Sequence, residues 1–132
     1  MRRNIWIVMF LMGALLIAAS GCNPSDKGGP KELLDKFFSS AIQQDYTTTY
    51  TCYYDAYKAK VNKDEFIKHR KDASVLQAYK IVSLTQNGDI AQAEVLLTFA
   101  PSEKMNRKDA VQTTVKEDMV KQKDGWKIKV WQ

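Results

Sequence analysis

The strongest constraint on the fold is a change of hydrophobic period near residue 75. Before it, apolar residues recur at helical spacing: Leu33, Leu34, Phe37, Phe38, Ala41 and Ile42 fall at i, i+1, i+4, i+5, i+8 and i+9. After it they alternate: Ala91, Ala93, Val95, Leu97 and Phe99 against Gln92, Glu94, Leu96 and Thr98. Helices gathered ahead of strands predict an α+β domain, with the helices packed on one face of an antiparallel sheet.

The first stripe predicts a helix over about 30–44, with Pro30 suited to its first turn. In the stretch "DYTTTYTCYYDAYKAK", residues 45–60, Tyr46, Tyr50, Tyr53 and Tyr57 keep helical spacing and Asp45 supplies an N-cap. The threonine run opposes a helix there, so a break near Tyr54-Asp55 stays open. Asn62-Lys63-Asp64-Glu65 reads as a cap for a third helix that ends near Lys71 to Ala73. Strands follow over Leu76–Thr85, over the alternation to Phe99, over Ala110–Gln122 and over Trp126–Trp131. Turns are expected at Asn87-Gly88 and Asp124-Gly125. Pro101 to Asp109 is a polar loop, and Glu117-Asp118 reads as a bulge that would curve the third strand. The expectation is therefore three helices and a curved four-stranded meander.

The N-terminus carries a separate message. Met1-Arg2-Arg3 precedes the uncharged, apolar run Ile5–Ala19, which is followed by Ser20, Gly21 and Cys22. Fifteen helical residues reach roughly 22 Å, short of the ~30 Å hydrocarbon core of a bilayer. This reads as a secretory signal peptide, with a retained membrane helix as the alternative. Ala19-Ser20-Gly21-Cys22 resembles the lipobox of bacterial lipoproteins, with Ala19 where Leu is more usual. The resemblance implies a diacylglyceryl group on the Cys22 thiol and cleavage just before it. Several acyl chains on one cysteine hold a membrane stably where a single myristoyl-sized chain does not. Ordinary secretion is the alternative.

The organisation expected is thus a signal peptide over 1–21, a lipidated cysteine with a short flexible tether over 22–29, and one domain over 30–132. The mature chain would keep a net charge of +3, since Arg2 and Arg3 leave from a total of +5. That is too little to argue for nucleic acid. The expected home is the outer face of the bacterial cytoplasmic membrane, or an outer membrane if the host has one. Seven tether residues reach at most about 25 Å, which keeps the domain near the lipid surface. The second cysteine, Cys52, is read as a small buried residue, with an intermolecular bond as the alternative.

The helix ending in "AIQQDY", the capped third helix, the meander and the closing "KQKDGWKIKVWQ" resemble the nuclear-transport-factor-2-like superfamily, in particular its small bacterial lipoproteins. The resemblance spans about residues 30–132. It implies a cone-shaped fold with a pocket between helices and sheet. Superfamily members include isomerases, dehydratases, ligand binders and dimerisation modules, so the fold does not choose a function. Tyr50, Tyr53, Tyr54 and Trp126 are the candidates for lining the cone, against plain core packing. The one histidine, His69, has Glu65 and Asp72 at helical spacing. It could serve a pocket enzyme only if it faced the cavity, and the plainer reading is a solvated basic run.

No Gly-rich phosphate loop, zinc spacing or calcium loop occurs, and neither cofactor nor metal is expected. The leading expectation is a non-catalytic binding module for a small apolar ligand or a membrane-proximal protein. A homodimer through the open sheet face is a further expectation, because Leu96 and Trp131 would need cover. A cone filled by its own side chains is the third alternative, and it requires that no ligand-sized cavity exist.

Overall fold

A computed structural model describes residues 28–130; the signal segment, Cys22, most of the tether and Trp131 lie outside the described residues. Four α-helices come first: α1 (Pro30–Ile42), α2 (Tyr46–Thr51), α3 (Asp55–Lys60) and α4 (Lys63–Asp72). One antiparallel sheet follows: β1 (Leu76–Asn87), β2 (Ile90–Phe99), β3 (Val111–Gln122) and β4 (Gly125–Lys129), in the order β1-β2-β3-β4. The α+β class and the meander are as the periodicity predicts. Among the described residues no helix is long and apolar enough to cross a membrane.

Helix starts follow local chemistry. Pro30 opens α1, whose cap is closed by Glu32 accepting the Gly29 N–H at 2.8 Å. Asp45 caps α2 by accepting from the Thr48 N–H, and Asn62 caps α4 by accepting from the Glu65 N–H at 2.9 Å. The turn between β1 and β2 falls on Gly88 and Asp89, one residue later than expected, with Gly88 at φ +61. A glycine takes that backbone without the clash a Cβ would bring.

Two expectations are corrected. The break left open near Tyr54-Asp55 is present and divides the tyrosine segment into α2 and α3, so there are four helices rather than three. The break spans Cys52–Tyr54, where the backbone turns from its own helix to the sheet. The Ile128 N–H donates to Cys52 O at 2.7 Å and the Tyr54 N–H donates to Ile128 O at 2.9 Å. A six-residue, threonine-rich helix is too short and too β-branched to hold its own against those two bonds. The second correction concerns curvature. β3 keeps continuous register with β2 from Val111 to Val120, with no bulge at Glu117-Asp118. The irregularities lie in β1, between Leu76 and Ala78 and between Ile81 and Ser83. An outer strand with one free edge absorbs an extra residue most easily.

The core lies between the helices and the inner sheet face. Leu34, Phe37 and Phe38 of α1 and Phe66 of α4 meet Ala91, Ala93 and Val95 of β2, Met119 of β3 and Ile128 of β4. A buried hydroxyl pair staples α1 to α2, Ser40 Oγ and Thr49 Oγ1 being 2.7 Å apart. At the other end Tyr79 of β1 donates to Asp35 of α1 at 2.7 Å. The outer face of the sheet is largely polar. Gln92, Glu94, Gln112 and Lys116 stand around Leu96, which is only half-buried.

Candidate functional site

Helices and sheet do not close fully on each other. Between them lies a cavity of about 240 Å³. α1 contributes Phe37, Phe38 and Ala41 to its wall, β2 contributes Leu97 and Phe99, and β3 contributes Val115. Five polar side chains reach this apolar wall; besides Tyr46 and Ser74, three act on one another from different parts of the fold: Tyr53 from the α2–α3 break, Arg70 from the last turn of α4 and Glu117 from β3. The size is sufficient for a small molecule, since an apolar cavity of about 150 Å³ accommodates benzene.

Each of the three is placed by its local fold. Tyr53 sits on an isolated parallel bridge to Ile128, which turns its ring inward against Phe37 and Phe66. The residue is 5% exposed. Its hydroxyl accepts a hydrogen bond from Arg70 Nη2 at 3.1 Å. Burial pushes the Tyr53 phenol up to about 12, with the Arg70 charge pulling the other way. The Arg70 guanidinium also lies over the Phe66 ring, 5.3 Å from its centroid, a cation–π contact that fixes its plane. Glu117 projects to the inner face of β3 because it alternates with Val115 and Met119. Burial is the main influence on its carboxyl, pushed up to about 7, with Arg70 opposing and Asp118 reinforcing the shift. A carboxyl at that position is half-protonated at neutrality.

Of the residues expected to line the cone, only Tyr53 does so. The Tyr50 hydroxyl donates to Val61 O at 2.6 Å and ties α2 to the end of α3. The Tyr54 hydroxyl donates to Val130 O at 2.9 Å. Trp126 is buried on the inner face at the far end of the sheet, beside a separate hollow bordered by Leu33, Lys36 and Cys52. The helical spacing of the tyrosines put them on one face only so long as the helix ran on, and the break at Cys52–Tyr54 splits them. His69 is exposed on α4, facing solvent rather than the cavity, which removes the arrangement a His69 enzyme needed. Cys52 is buried, and burial pushes its thiol up. Arg70 and Glu117 were not singled out by sequence. The available signal for Glu117 was its position in the inward series Val111, Thr113, Val115, Met119, and the supposed bulge concealed it. Among the described residues no cluster of three or more His, Cys, Asp or Glu side chains comes together to hold a metal.

No protein-family model and no curated protein sequence is significantly similar to this chain. Solved structures are similar in fold. A SEC-C motif containing protein from Rhodopseudomonas palustris superposes with a TM-score of 0.61 at 10% identity, over 77% of this chain and 76% of that one. A SEC-C motif containing protein from Psychrobacter arcticus gives 0.64 at 12% identity, over 80% of this chain and 60% of that one. A protein from Campylobacter jejuni described as an NTF2-like transpeptidase gives 0.54 at 16% identity, over 79% of this chain and 100% of that one. The fold is NTF2-like. Identities this low speak to the fold alone, and the site of this NTF2-like domain has to be read from its own residues.

Proposed function

We propose that the mature chain is a lipid-anchored protein on the outer face of the bacterial cytoplasmic membrane, and that its cone binds a small, mostly apolar ligand without transforming it. The anchor half of this reading rests on the lipobox-like Ala19-Ser20-Gly21-Cys22 and the short apolar run before it. The binding half rests on one observation: a ligand-sized, aromatic-walled cavity in which three polar groups converge. That pattern, an apolar body with a few fixed polar contacts, is how small-molecule sites are generally built. A self-filled cone would have no such cavity. The outer sheet face, mostly polar with Ile90 exposed at one end and Leu96 half-buried, offers less to a protein partner than the cone offers to a small molecule.

The test is native mass spectrometry of the full-length protein extracted gently from its host membrane. A chain of residues 22–132 with diacylglyceryl and a reproducible additional non-covalent mass supports both halves. An unlipidated chain overturns the anchor. A lipidated chain that carries no ligand, and takes up no small aromatic when offered one, overturns the binding module.

One observation favours a second reading. Glu117 is a carboxyl poised near neutrality in an apolar site, which is what proton abstraction from a carbon acid requires. On that reading it replaces His69 as the reacting group. Incorporation of solvent deuterium into a bound small ketone, lost in Glu117→Gln, would establish it; no exchange leaves the binding module.

A further inference from the structure

The polar groups of the cone are unbalanced, and the imbalance specifies a ligand. Arg70 has five N–H donors and no acceptor, and is charged at every accessible pH. One of its donors goes to the Tyr53 hydroxyl. That hydroxyl, having accepted, keeps its own proton, for which no acceptor is found among the described residues. Among the same residues no ion pair joins Arg70 to Glu117. Arg70 acts on the Glu117 carboxyl through its charge without a direct ion pair, and no hydrogen bond to the Glu117 side chain is found among the described residues. The groups that face it are Arg70 from α4, Tyr53 from the α2–α3 break and Asp118 on its own strand, while its pairing partner on β2 is Ala93. Tyr46, also in the wall, presents another phenol.

With Glu117 protonated, the cone holds one permanent cation, Arg70, among groups that are all neutral: the carboxyl, the phenols and the Ser74 hydroxyl. A half-buried cation with spare N–H donors and no counter-ion bonded to it among the described residues is best matched by an acceptor, and best of all by an anion. A ligand cation would meet the permanent Arg70 charge. Resting on the reading of the cone as a small-ligand site, we infer that its ligand is a small apolar monocarboxylic acid whose carboxylate sits among Arg70, Tyr53 and Glu117, and that Glu117 takes up one proton from solvent as the acid binds. The apolar body of the ligand lies against Phe37, Phe38, Leu97 and Val115. The volume suits a single ring or a short alkyl chain, not a long fatty acid. Binding and proton uptake are linked: ionised Glu117 repels the carboxylate and protonated Glu117 donates to it.

Titration calorimetry on the full-length protein in detergent tests this, with benzoate, benzyl alcohol and benzylamine as probes at about pH 6 and about pH 8.5. The expected result is benzoate binding at least about tenfold tighter than benzyl alcohol at the lower pH. From a carboxyl near 7, benzoate affinity falls about thirtyfold between the two pH values, while that of benzyl alcohol stays constant. Proton uptake on binding is read from two buffers of different ionisation heat. Glu117→Gln should keep benzoate binding and abolish its pH dependence, and Arg70→Gln should lose the preference for benzoate. The wild-type comparisons stand even if a variant fails to fold. Benzyl alcohol binding as well as benzoate at both pH values overturns the acid ligand and leaves the apolar site intact. Preferential binding of benzylamine also overturns it, by making Glu117 the anchor. If none of the three probes binds, the small-ligand reading falls with it.

Discussion

Tyr53 and Ile128, one at a helix break and the other on the last strand, form a parallel bridge that joins the helical layer to the sheet. Two backbone bonds flank it, from the Ile128 N–H to Cys52 O and from the Tyr54 N–H to Ile128 O. The bridge ends α2, starts α3 and points the Tyr53 phenol into the cone. Local structure and site are therefore one device.

The Tyr54 N–H can be removed cleanly, because Tyr54 already has φ −71, the value proline imposes. Tyr54→Pro should be less stable than Tyr54→Ala by about 1 kcal/mol, the worth of one buried backbone hydrogen bond. The alanine control accounts for the hydroxyl bond to Val130 O, lost in both. Urea unfolding of the three proteins measures the difference, and equal midpoints for the two variants would show that the bridge contributes nothing.

The Asp35–Tyr79 bond ties α1 to β1, and its two groups respond at opposite ends of the pH scale. The Lys31 ammonium, bonded at 2.6 Å, and then the Tyr79 hydroxyl hold the Asp35 carboxyl below its ordinary value. Its contribution is present above the unfolded pKa and is lost as pH falls through the folded one. Burial, and then the Asp35 carboxylate, push Tyr79 up to about 12 from 10.0. Its contribution is complete below about pH 10 and is lost as pH rises towards 12. Tyr79→Phe should therefore cost about 1 kcal/mol at neutral pH, less at the partly exposed limit. It should also remove part of the alkaline loss of stability seen in thermal melts. An unchanged alkaline limb would mean that another group titrates there.

How much of this could be seen in sequence depends on how local the cause is. Pro30, Asp45 and Asn62 announce their helix ends because a cap needs only three or four neighbours. The alternation through Ala91–Phe99 announces a strand and its buried side. The split between α2 and α3 depends on Ile128, 74 positions beyond Tyr54, and no local pattern carries that. The threonine run showed only that the helix was weak. The site was less legible than the fold. Tyr50, Tyr53 and Tyr54 fall within five residues, yet a broken helix sends them to three different acceptor or ring environments. Glu117 was obscured because a bulge expected at Glu117-Asp118 interrupts the alternation that would otherwise place it on the inward face. β3 leaves it inward, with Arg70 alongside.

Cys52 should behave as a buried side chain rather than as a reactive thiol. It is 2% exposed, its Sγ–H donates to Thr48 O, and burial holds the thiol above its ordinary value, disfavouring the thiolate that reacts. Labelling of the full-length protein with a maleimide should be slowed at least about a hundredfold in the native state, with full labelling in urea. Rapid native labelling, or a disulfide-linked dimer that disappears on reduction, would show that the thiol is accessible.

Glu117 should make stability depend on pH in the direction opposite to most carboxylates. Its carboxyl moves from 4.5 to about 7, so the folded protein binds more protons than the unfolded chain between those values. The slope of unfolding free energy with pH is then negative: the protein is most stable below about pH 4.5 as far as this group is concerned, and the benefit is lost as pH rises through 7. The shift corresponds to roughly 2–3 kcal/mol once residual solvent access is discounted. Glu117→Gln keeps the shape and cannot ionise. It should match the wild type near pH 4.5, exceed it by up to about 2 kcal/mol at pH 8, and flatten the curve between. Urea unfolding across this pH range measures it. A variant that remains parallel to the wild type throughout would place the Glu117 carboxyl in solvent, and the proton-linked site with it.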